Sequence, residues 1–309
     1  MIFNNKYEQK EIIGKKGFNI VYKVLDTETN NLYALKFITN IKNNEIKDFK
    51  EGYEKEIEIL KNIKNKYIIE IKEHFFDEKN KGYCIVMELC DSNLRDLLEK
   101  NKPKGLSLKI INKIFEQLNE VLKIMVEKNY VHSNLKPENI LIKYMNNNNN
   151  NFDIKLSDFG LSINNIKSSN SIIETLNYMA PEIEYNNKSD LWSLGAILYE
   201  LYTNKYIFYT ENPKEQKNNR CDGKIVNQTN NEKINKLIKK LIQVDINKRC
   251  EWEEYFNDEF FKEKIEITYL KSPLLKLIFS FLEEEKKLNI IIYNKNIQKK
   301  LEINIYKIM

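Results

Sequence analysis

The chain has 309 residues, of which 42% are hydrophobic and 31% are charged. This apolar content is enough for one large globular unit or for two lobes with separate cores. Fifty Lys and Arg residues stand against forty-five Asp and Glu, a formal charge of +5. Because the two signs are interleaved, the pattern is typical of a solvated surface and does not predict nucleic-acid binding. No apolar run approaches the roughly 18 residues that a membrane helix requires, so we expect no membrane contact.

Cysteine usage and the start of the chain indicate a reducing compartment. Cys84, Cys90, Cys221 and Cys250 show no CxxC spacing and have no histidine pair nearby. The opening MIFNNKYEQK lacks the apolar core of a signal peptide. We therefore expect a cytoplasmic or nuclear protein with reduced cysteines.

The first part of the chain has the pattern of a strand meander. Short runs of β-branched and aromatic residues are broken by turn signals in YEQKEII, NIVYKVLD and NNLYALKFI, between residues 7 and 38. The pattern becomes helical over 48–62, where Ile57 and Leu60 share a face. Strand-like segments return over 68–76 and 83–89.

The middle of the chain predicts helices. Residues 94–99 fit one helix, and 108–128 fit a second whose apolar stripe comprises Ile111, Ile114, Leu118, Leu122 and Met125. The asparagine run 146–151 and the polar segment 212–232 are low in complexity, so we expect solvated loops at both. A strand-rich part followed by a helix-rich part predicts an α+β fold.

An ordered series of motifs is similar to that of the eukaryotic protein kinases. It runs through GKKGFNIV, YALK, KEIEIL, VMEL, HSNLKPEN, DFG, APE and DLWSLG to a late arginine. The chain resembles the serine/threonine type of that family over residues 7–262. The resemblance implies a two-lobed protein-kinase-like fold, with a small β-rich N-lobe (about 7–88) and a larger helical C-lobe (about 91–262). It also implies a cleft for ATP and Mg²⁺ and a protein substrate or partner, and it leaves the oligomeric state open.

The resemblance assigns four residues to the nucleotide phosphates and the metal. Lys36 would hold the phosphates from a strand, and Glu56 of the following helix would orient it, with Glu58 as a neighbouring alternative. Asp158 of DFG and Asn139 would bind Mg²⁺. A lone Lys or Glu is usually a solvated surface charge, so the strand and helix context carries this interpretation.

The segment that links the lobes would receive the adenine ring. In the family, backbone groups of this segment bind the ring and apolar side chains sandwich it. Taken alone, such apolar residues are ordinary members of a core. The matching residues are Met87, Glu88 and Cys90 in the linking segment, and Val21, Ala34 and Leu141 around the ring.

Two further pairs match positions that brace the helical lobe of the family. Glu182 and Arg249 would form a buried ion pair, and Asp190 with Trp192 would hold the catalytic loop from below. Their retention favours the fold and says little about activity. Bidentate contacts with carboxylates or phosphates have few candidate residues, because the sequence contains only three arginines, Arg95, Arg220 and Arg249.

The phosphate-covering turn departs from the family pattern. Of three expected glycines only Gly14 matches, Lys16 and Asn19 stand at the other two positions, and Gly17 is out of phase. Glycines serve there because backbone amides must approach the phosphates with no side chain in the way. We therefore expect weakened, though not abolished, ATP binding.

The catalytic loop carries the largest departure. Asn134 stands where the family has the carboxylate that accepts the proton of the attacking hydroxyl, and an amide is far too weak a base for that step. Lys136 and Thr175 match residues that approach the same hydroxyl in the serine/threonine branch. Ser133 replaces the arginine that receives an activation-loop phosphate in many relatives, so we expect no switching through that pocket.

Residues 263–309 extend beyond the family domain. Their segment SPLLKLIFSFL predicts helices that pack on the lower lobe, and it also weakly resembles the opening of an F-box. Three functions stay open on the sequence: an inactive kinase, or pseudokinase, that acts through partner binding; a slow but active serine/threonine kinase; and an adaptor that works through this tail.

Overall fold

The computed structural model describes residues 1–16, 19–38, 46–145, 148–159, 176–182 and 186–262. Thr175 and the tail 263–309 lie outside the described residues, so the roles expected for them stay predictions. Within the described residues the α+β, two-lobed architecture predicted from the sequence is confirmed.

The N-terminal lobe is built on an antiparallel sheet. Its strands are β1 (Ile2–Phe3), β2 (Tyr7–Lys16), β3 (Asn19–Asp26), β4 (Leu32–Ile38), β5 (Ile71–Asp77) and β6 (Gly82–Glu88). Their order in the sheet is β1-β2-β3-β4-β6-β5, which places β4 inside the sheet with a neighbour on each side.

Strand β1 closes an aromatic cluster that the sequence did not reveal. Phe3 is fully buried, and its ring centroid lies 5.4 Å from that of Tyr22 and 5.2 Å from that of Phe37. The strand is held at its end by the Asn4 backbone N–H, which donates to Asp77 Oδ2 at 2.8 Å. Residues before position 7 therefore contribute to the core of this lobe.

Helix α1 (Ile46–Asn62) packs with one face toward the interior. Tyr53, Glu56, Ile57 and Leu60 are buried, and their spacing of i, i+3, i+4 and i+7 places them on one stripe of the helix. A glutamate is thus carried on the buried stripe, where it needs a cationic partner.

The C-terminal lobe is mainly helical. Its helices are α2 (Leu94–Asn101), α3 (Leu108–Glu127), α4 (Ser189–Thr203), α5 (Pro213–Cys221), α6 (Glu232–Leu241) and α7 (Trp252–Phe256). Every residue of α4 from Ser189 to Leu201 is buried, as expected for a helix at the centre of a core.

A small sheet connects this lobe to the site. It comprises β7 (Ser92–Asn93), β8 (Ile140–Met145) and β9 (Asn148–Leu156), in that order. At the end of β9 the Leu156 N–H donates to Tyr67 O at 2.8 Å, and the Ile69 N–H donates to Leu156 O at 3.0 Å. These bonds hold the residues after β9 beside the segment that follows α1.

The prediction of solvated loops at 146–151 and 212–232 is wrong in part. Asn148–Asn151 belong to β9, and α5 occupies 213–221 within the segment 212–232. Asn212 caps α5 by accepting from the Lys214 N–H at 3.0 Å, and Arg220 donates to Met179 O at 3.2 Å. The Asn-Pro start and these contacts stabilise a helix that composition alone did not predict.

Candidate nucleotide and phosphotransfer site

One network links three of the predicted residues, Lys36, Glu56 and Asp158. Lys36 lies on β4 opposite Val21 of β3 and is 6% exposed. Its ammonium donates to Glu56 Oε1 and Oε2 at 2.9 and 2.7 Å, and to Asp158 Oδ1 at 2.7 Å. The strand therefore supplies a cation that is fixed in position from two sides.

The glutamate that pairs with Lys36 is Glu56, not the alternative Glu58. Glu56 is 2% exposed on the inner stripe of α1. Glu58 is exposed, and its Oε1 accepts from the Tyr130 hydroxyl at 3.3 Å. Positions i and i+2 of an α-helix point in different directions, so only one of the two carboxylates can face β4.

Asp158 follows β9 with a left-handed backbone. Its φ is +66°, a region that residues other than glycine seldom occupy and that often marks a functional site. Its Oδ1 accepts from Lys36, and its Oδ2 accepts from Asn134 Nδ2 at 2.9 Å. The following residue, Phe159, is buried with its ring centroid 4.7 Å from that of His132.

Asn134 is buried at the catalytic-loop position, with 4% exposure. Its side chain donates to Asp158, while its Oδ1 has no hydrogen-bond partner among the described residues. Its backbone oxygen accepts from Asn139 Nδ2 at 2.7 Å. The structure thus brings Asn134, Asn139 and Asp158 together, as the sequence predicts.

Lys136 and Asn139 lie around a single turn of 3-10 helix, Pro137–Asn139. Lys136 precedes the turn and is 4% exposed, and its backbone oxygen accepts from the Asn139 N–H at 3.0 Å. Asn139 O in turn accepts from the Ser157 N–H and from Ser157 Oγ, both at 3.0 Å. The turn is therefore tied to the residue that precedes Asp158.

Asp190 holds the catalytic loop by its backbone. Its Oδ2 accepts from the His132 N–H at 2.7 Å, and its Oδ1 accepts from the Ser133 N–H at 2.9 Å. Ser133 has a φ of +63°, so this loop too passes through the left-handed region. The predicted support of the loop by Asp190 is thus made through main-chain groups.

Arg249 forms the second predicted bracing pair. It donates to Glu182 Oε1 and Oε2 at 2.8 and 3.1 Å, a bidentate contact, and it is 1% exposed. Its guanidinium carbon lies 5.3 Å from the Trp192 ring centroid. Trp192 therefore packs on this ion pair and on Phe208, at a centroid distance of 5.5 Å.

Burial and ion pairing shift the protonation of the network. Burial would lower the pKa of Lys36, but Asp158 and Glu56 raise it overall, so the ammonium stays charged. Burial raises the pKa of Glu56, against the opposing effect of Lys36. Burial also lowers the pKa of His132 to about 4 and raises the pKa of Asp190 to about 6.

Neutral His132 is held in one tautomer by its contacts. Its Nε2 lies 3.1 Å from Ser157 O, and its Nδ1 lies 3.2 Å from the Asn134 backbone nitrogen. Since Asn134 N–H can only donate, Nδ1 accepts and Nε2 carries the proton. This histidine links the catalytic loop to the residue before Asp158, a role that the sequence analysis did not assign.

The residues expected around the adenine are divided between the two sheets. Ala34 on β4 is opposite Met87 on β6, and Leu141 lies on β8 of the small sheet. The Glu88 side chain forms ion pairs with Lys143 and Lys155, and its backbone N–H donates to Glu70 O at 2.9 Å. Cys90 is half-buried, and its backbone N–H makes no hydrogen bond among the described residues.

The facing ends of β2 and β3 carry the altered glycine positions. Gly14 is opposite Val21, and Lys16 is opposite Asn19. A Cβ placed on Gly14 would lie 3.6 Å from Val21 Cβ, an ordinary contact, so the fold itself does not require a glycine there. The ligand contact expected for Gly14 from the sequence stays a prediction.

A charged cluster of the C-terminal lobe escaped the sequence analysis. Arg95 donates to Glu138 at 2.8 Å and to Glu200 at 2.6 Å, and the Tyr178 hydroxyl donates to Glu200. The cluster joins α2, α4 and the segment before APE. The sequence did carry a signal for this cluster. It contains few arginines, and arginine is the residue suited to bidentate contacts with carboxylates.

The two-lobed α+β fold is that of a kinase-type domain. Its Lys36–Glu56–Asp158 network joins β4, α1 and the residues after β9. The protein kinase domain model matches residues 7–261. The chain belongs to the protein kinase family.

Several proteins described as kinases are similar in sequence. The chain is 34% identical over 221 residues to dual specificity tyrosine-phosphorylation-regulated kinase 2 of Drosophila melanogaster. The aligned region covers 68% of this chain and 29% of that protein. The chain is 32% identical over 221 residues to dual specificity tyrosine-phosphorylation-regulated kinase 4 of Homo sapiens, with coverages of 68% and 40%. It is 31% identical over 293 residues to a protein described as a serine/threonine-protein kinase of Acanthamoeba polyphaga mimivirus, with coverages of 84% and 64%. The chain thus spans less than two thirds of each of these relatives.

Protein kinase domains generally use ATP and Mg²⁺. Lys36 fits a nucleotide phosphate, because it is charged and fixed by Glu56. For Mg²⁺, Asp158 and the Asn139 amide oxygen fit in residue type, but both Asp158 oxygens already accept N–H donors. No group of three or more His, Cys, Asp or Glu suited to a metal occurs in the described ranges. The site therefore fits the nucleotide better than the metal.

In the part of the chain that the structure describes, no helix is both long enough and apolar enough to cross a bilayer.

Proposed function

We propose that this chain is a catalytically impaired serine/threonine-type protein kinase, a pseudokinase, that binds nucleotide and acts through a protein partner. The observation that carries the proposal is the Asn134 amide, which donates to Asp158 where a base is needed. Its oxygen can accept a hydrogen bond from a hydroxyl but cannot take the proton. Loss of a general base costs about 10²–10⁴-fold in rate, or roughly 3 to 5.5 kcal/mol of barrier.

Nucleotide binding within this proposal is supported by the Lys36 network. Lys36 is charged and positioned, and the open Cys90 N–H offers a donor to a ring nitrogen. The replaced glycines of the turn weaken the binding. The four free cysteines support a cytoplasmic or nuclear location.

Thermal unfolding with and without ATP tests nucleotide binding. ATP should raise the melting temperature by an amount that follows RT ln(1 + [L]/Kd), and Lys36→Ala should remove the shift. Lys55→Ala is the matched control, because Lys55 is exposed on α1 beside Glu56. A shift that survives Lys36→Ala, or no shift in the unmodified protein, would contradict nucleotide binding in the cleft.

A slow but active kinase is the second candidate. Lys36, Glu56, Asn139 and Asp158 are all retained, and Asn134 Oδ1 has no partner among the described residues. That oxygen could position a substrate hydroxyl by accepting its hydrogen bond. Because phosphoryl transfer depends mostly on positioning and electrostatics, some activity is physically compatible with the missing base.

Phosphotransfer to a generic Ser/Thr protein substrate separates the two candidates. Asn134→Asp should raise the rate by about 10²-fold or more, because it restores the base. Asp158→Ala serves as the control for contaminating kinases. If the unmodified protein turns over as fast as Asn134→Asp and loses that activity with Asp158→Ala, the pseudokinase proposal is overturned.

A further inference from the structure

We propose that the Asn134 side-chain amide takes the place of a divalent cation at Asp158, so that the cleft binds nucleotide with little dependence on Mg²⁺. This inference rests on the proposed nucleotide binding and concerns the same site. Asn134 then sets the Mg²⁺ requirement of nucleotide binding, in addition to lacking the basicity of a carboxylate.

The Asp158 carboxylate is bracketed by two N–H donors. Lys36 Nζ lies 2.7 Å from Oδ1, and Asn134 Nδ2 lies 2.9 Å from Oδ2. Each oxygen thus has one short contact to a donor supplied by the protein. A cation at Oδ2 would have to compete with the amide for that oxygen.

The orientation of the amide supports this assignment. With Nδ2 toward Asp158, Asn134 Oδ1 is left without a partner among the described residues, although the side chain is buried. A buried acceptor without a partner carries a desolvation penalty. The opposite orientation would set the amide oxygen against the Asp158 carboxylate, so the contact with Asp158 determines the orientation.

The charge of the network points the same way. Lys36 contributes one positive charge, Glu56 and Asp158 contribute one negative charge each, and Asn134 contributes none. A carboxylate at position 134 would add a second anion directly beside Asp158. Two carboxylates at such a distance need a cation or a shared proton between them, whereas the amide removes that need.

Nucleotide affinity measured with and without metal tests the inference. The full chain is titrated with a fluorescent ATP analogue in millimolar Mg²⁺ and in excess EDTA. For the unmodified protein the two dissociation constants should agree within about threefold, whereas Asn134→Asp should bind at least about tenfold more tightly with Mg²⁺. A tenfold or greater loss of affinity in EDTA for the unmodified protein would overturn the inference.

A readout without nucleotide keeps the two proposals separable. In EDTA, Asn134→Asp should melt at a lower temperature than the unmodified protein, and Mg²⁺ should remove this difference, because the cation screens the paired carboxylates. Ser133→Asp is the charge-matched control, since it adds a carboxylate one residue away, and its melting should not respond to Mg²⁺. If Asn134→Asp does not respond to Mg²⁺, the inference fails, whether or not ATP binds.

Discussion

Lys36 and Glu56 are joined by two hydrogen bonds, of 2.9 and 2.7 Å, between β4 and the inner stripe of α1. Both side chains are almost completely buried. The pair therefore fixes the helix to the sheet while it positions the cation for a ligand.

Removal of each partner should have unequal effects on stability. Lys36→Met leaves Glu56 and Asp158 without their common cation, whereas Glu56→Gln leaves Lys36 paired with Asp158. Breaking a buried ion pair costs about 3–5 kcal/mol, so we expect Lys36→Met near that range and Glu56→Gln below it. Urea unfolding measures both. Glu58→Gln, on the exposed side of α1, should change stability by less than about 0.5 kcal/mol, and equal costs for all three would contradict the pairing.

Strand β1 should be necessary for the stability of the N-terminal lobe. Phe3→Ala empties a fully buried site against Tyr22 and Phe37, and such truncations cost about 3–5 kcal/mol. Ile2→Ala is the control on the same strand, because Ile2 is 45% exposed. Thermal and urea unfolding should separate the two variants, and similar stabilities would show that β1 does not contribute to the core.

His132 should give a stability contribution that is lost in acid. Its pKa of about 4 lies below the ordinary 6.5, so the unfolded chain binds the proton more tightly. The contribution is present above pH 6.5 and disappears as the pH falls toward 4, by about 3 kcal/mol in total. The destabilisation caused by His132→Phe, measured by urea unfolding at several pH values, should therefore shrink on acidification. A difference that does not vary with pH would contradict the buried neutral histidine.

Asp190 should act in the opposite direction. Its pKa of about 6 lies above the ordinary 3.8, so the folded protein takes up the proton first. The contribution is fully present below pH 3.8 and is lost as the pH rises through 6. The destabilisation caused by Asp190→Asn should therefore grow as the pH falls across this range, in the same unfolding series. If it shrinks instead, the Asp190 carboxylate is stabilised as an anion by the two backbone N–H groups.

The altered glycine positions at the facing ends of β2 and β3 can be tested separately from the base. Lys16→Gly with Asn19→Gly should tighten nucleotide binding, because backbone amides can then approach the phosphates without obstruction. Added to Asn134→Asp, the double change should alter phosphotransfer by a factor that differs from the product of the separate effects, since loop and base act on one transition state. An unchanged dissociation constant would show that the glycine positions do not limit binding.

Residues within family motifs were predictable from the sequence. Lys36 lies in YALK, Glu56 in KEIEIL and Asp158 in DFG, so the resemblance to the kinase family could place each before the fold was known. Spatial contacts resolved the choice between Glu56 and Glu58, because helical periodicity alone left the face toward β4 open.

Other features depend on contacts between distant parts of the chain. Strand β1 has two residues, too few to show an alternating pattern, and it is stable because Phe3 packs into the lobe. The hydrogen bond from Asn134 to Asp158 joins residues 24 apart in sequence. Composition likewise misjudged α5, where the Asn212 cap and the contacts of Arg220 outweigh a polar sequence.

Asp190 fixes the catalytic loop through the main-chain amides of His132 and Ser133, which every residue except proline provides. This anchor therefore does not depend on which side chains the loop displays at 133 and 134. A substitution at either position leaves these two hydrogen bonds in place, so the side chains of the loop can change without loss of the contact that holds it.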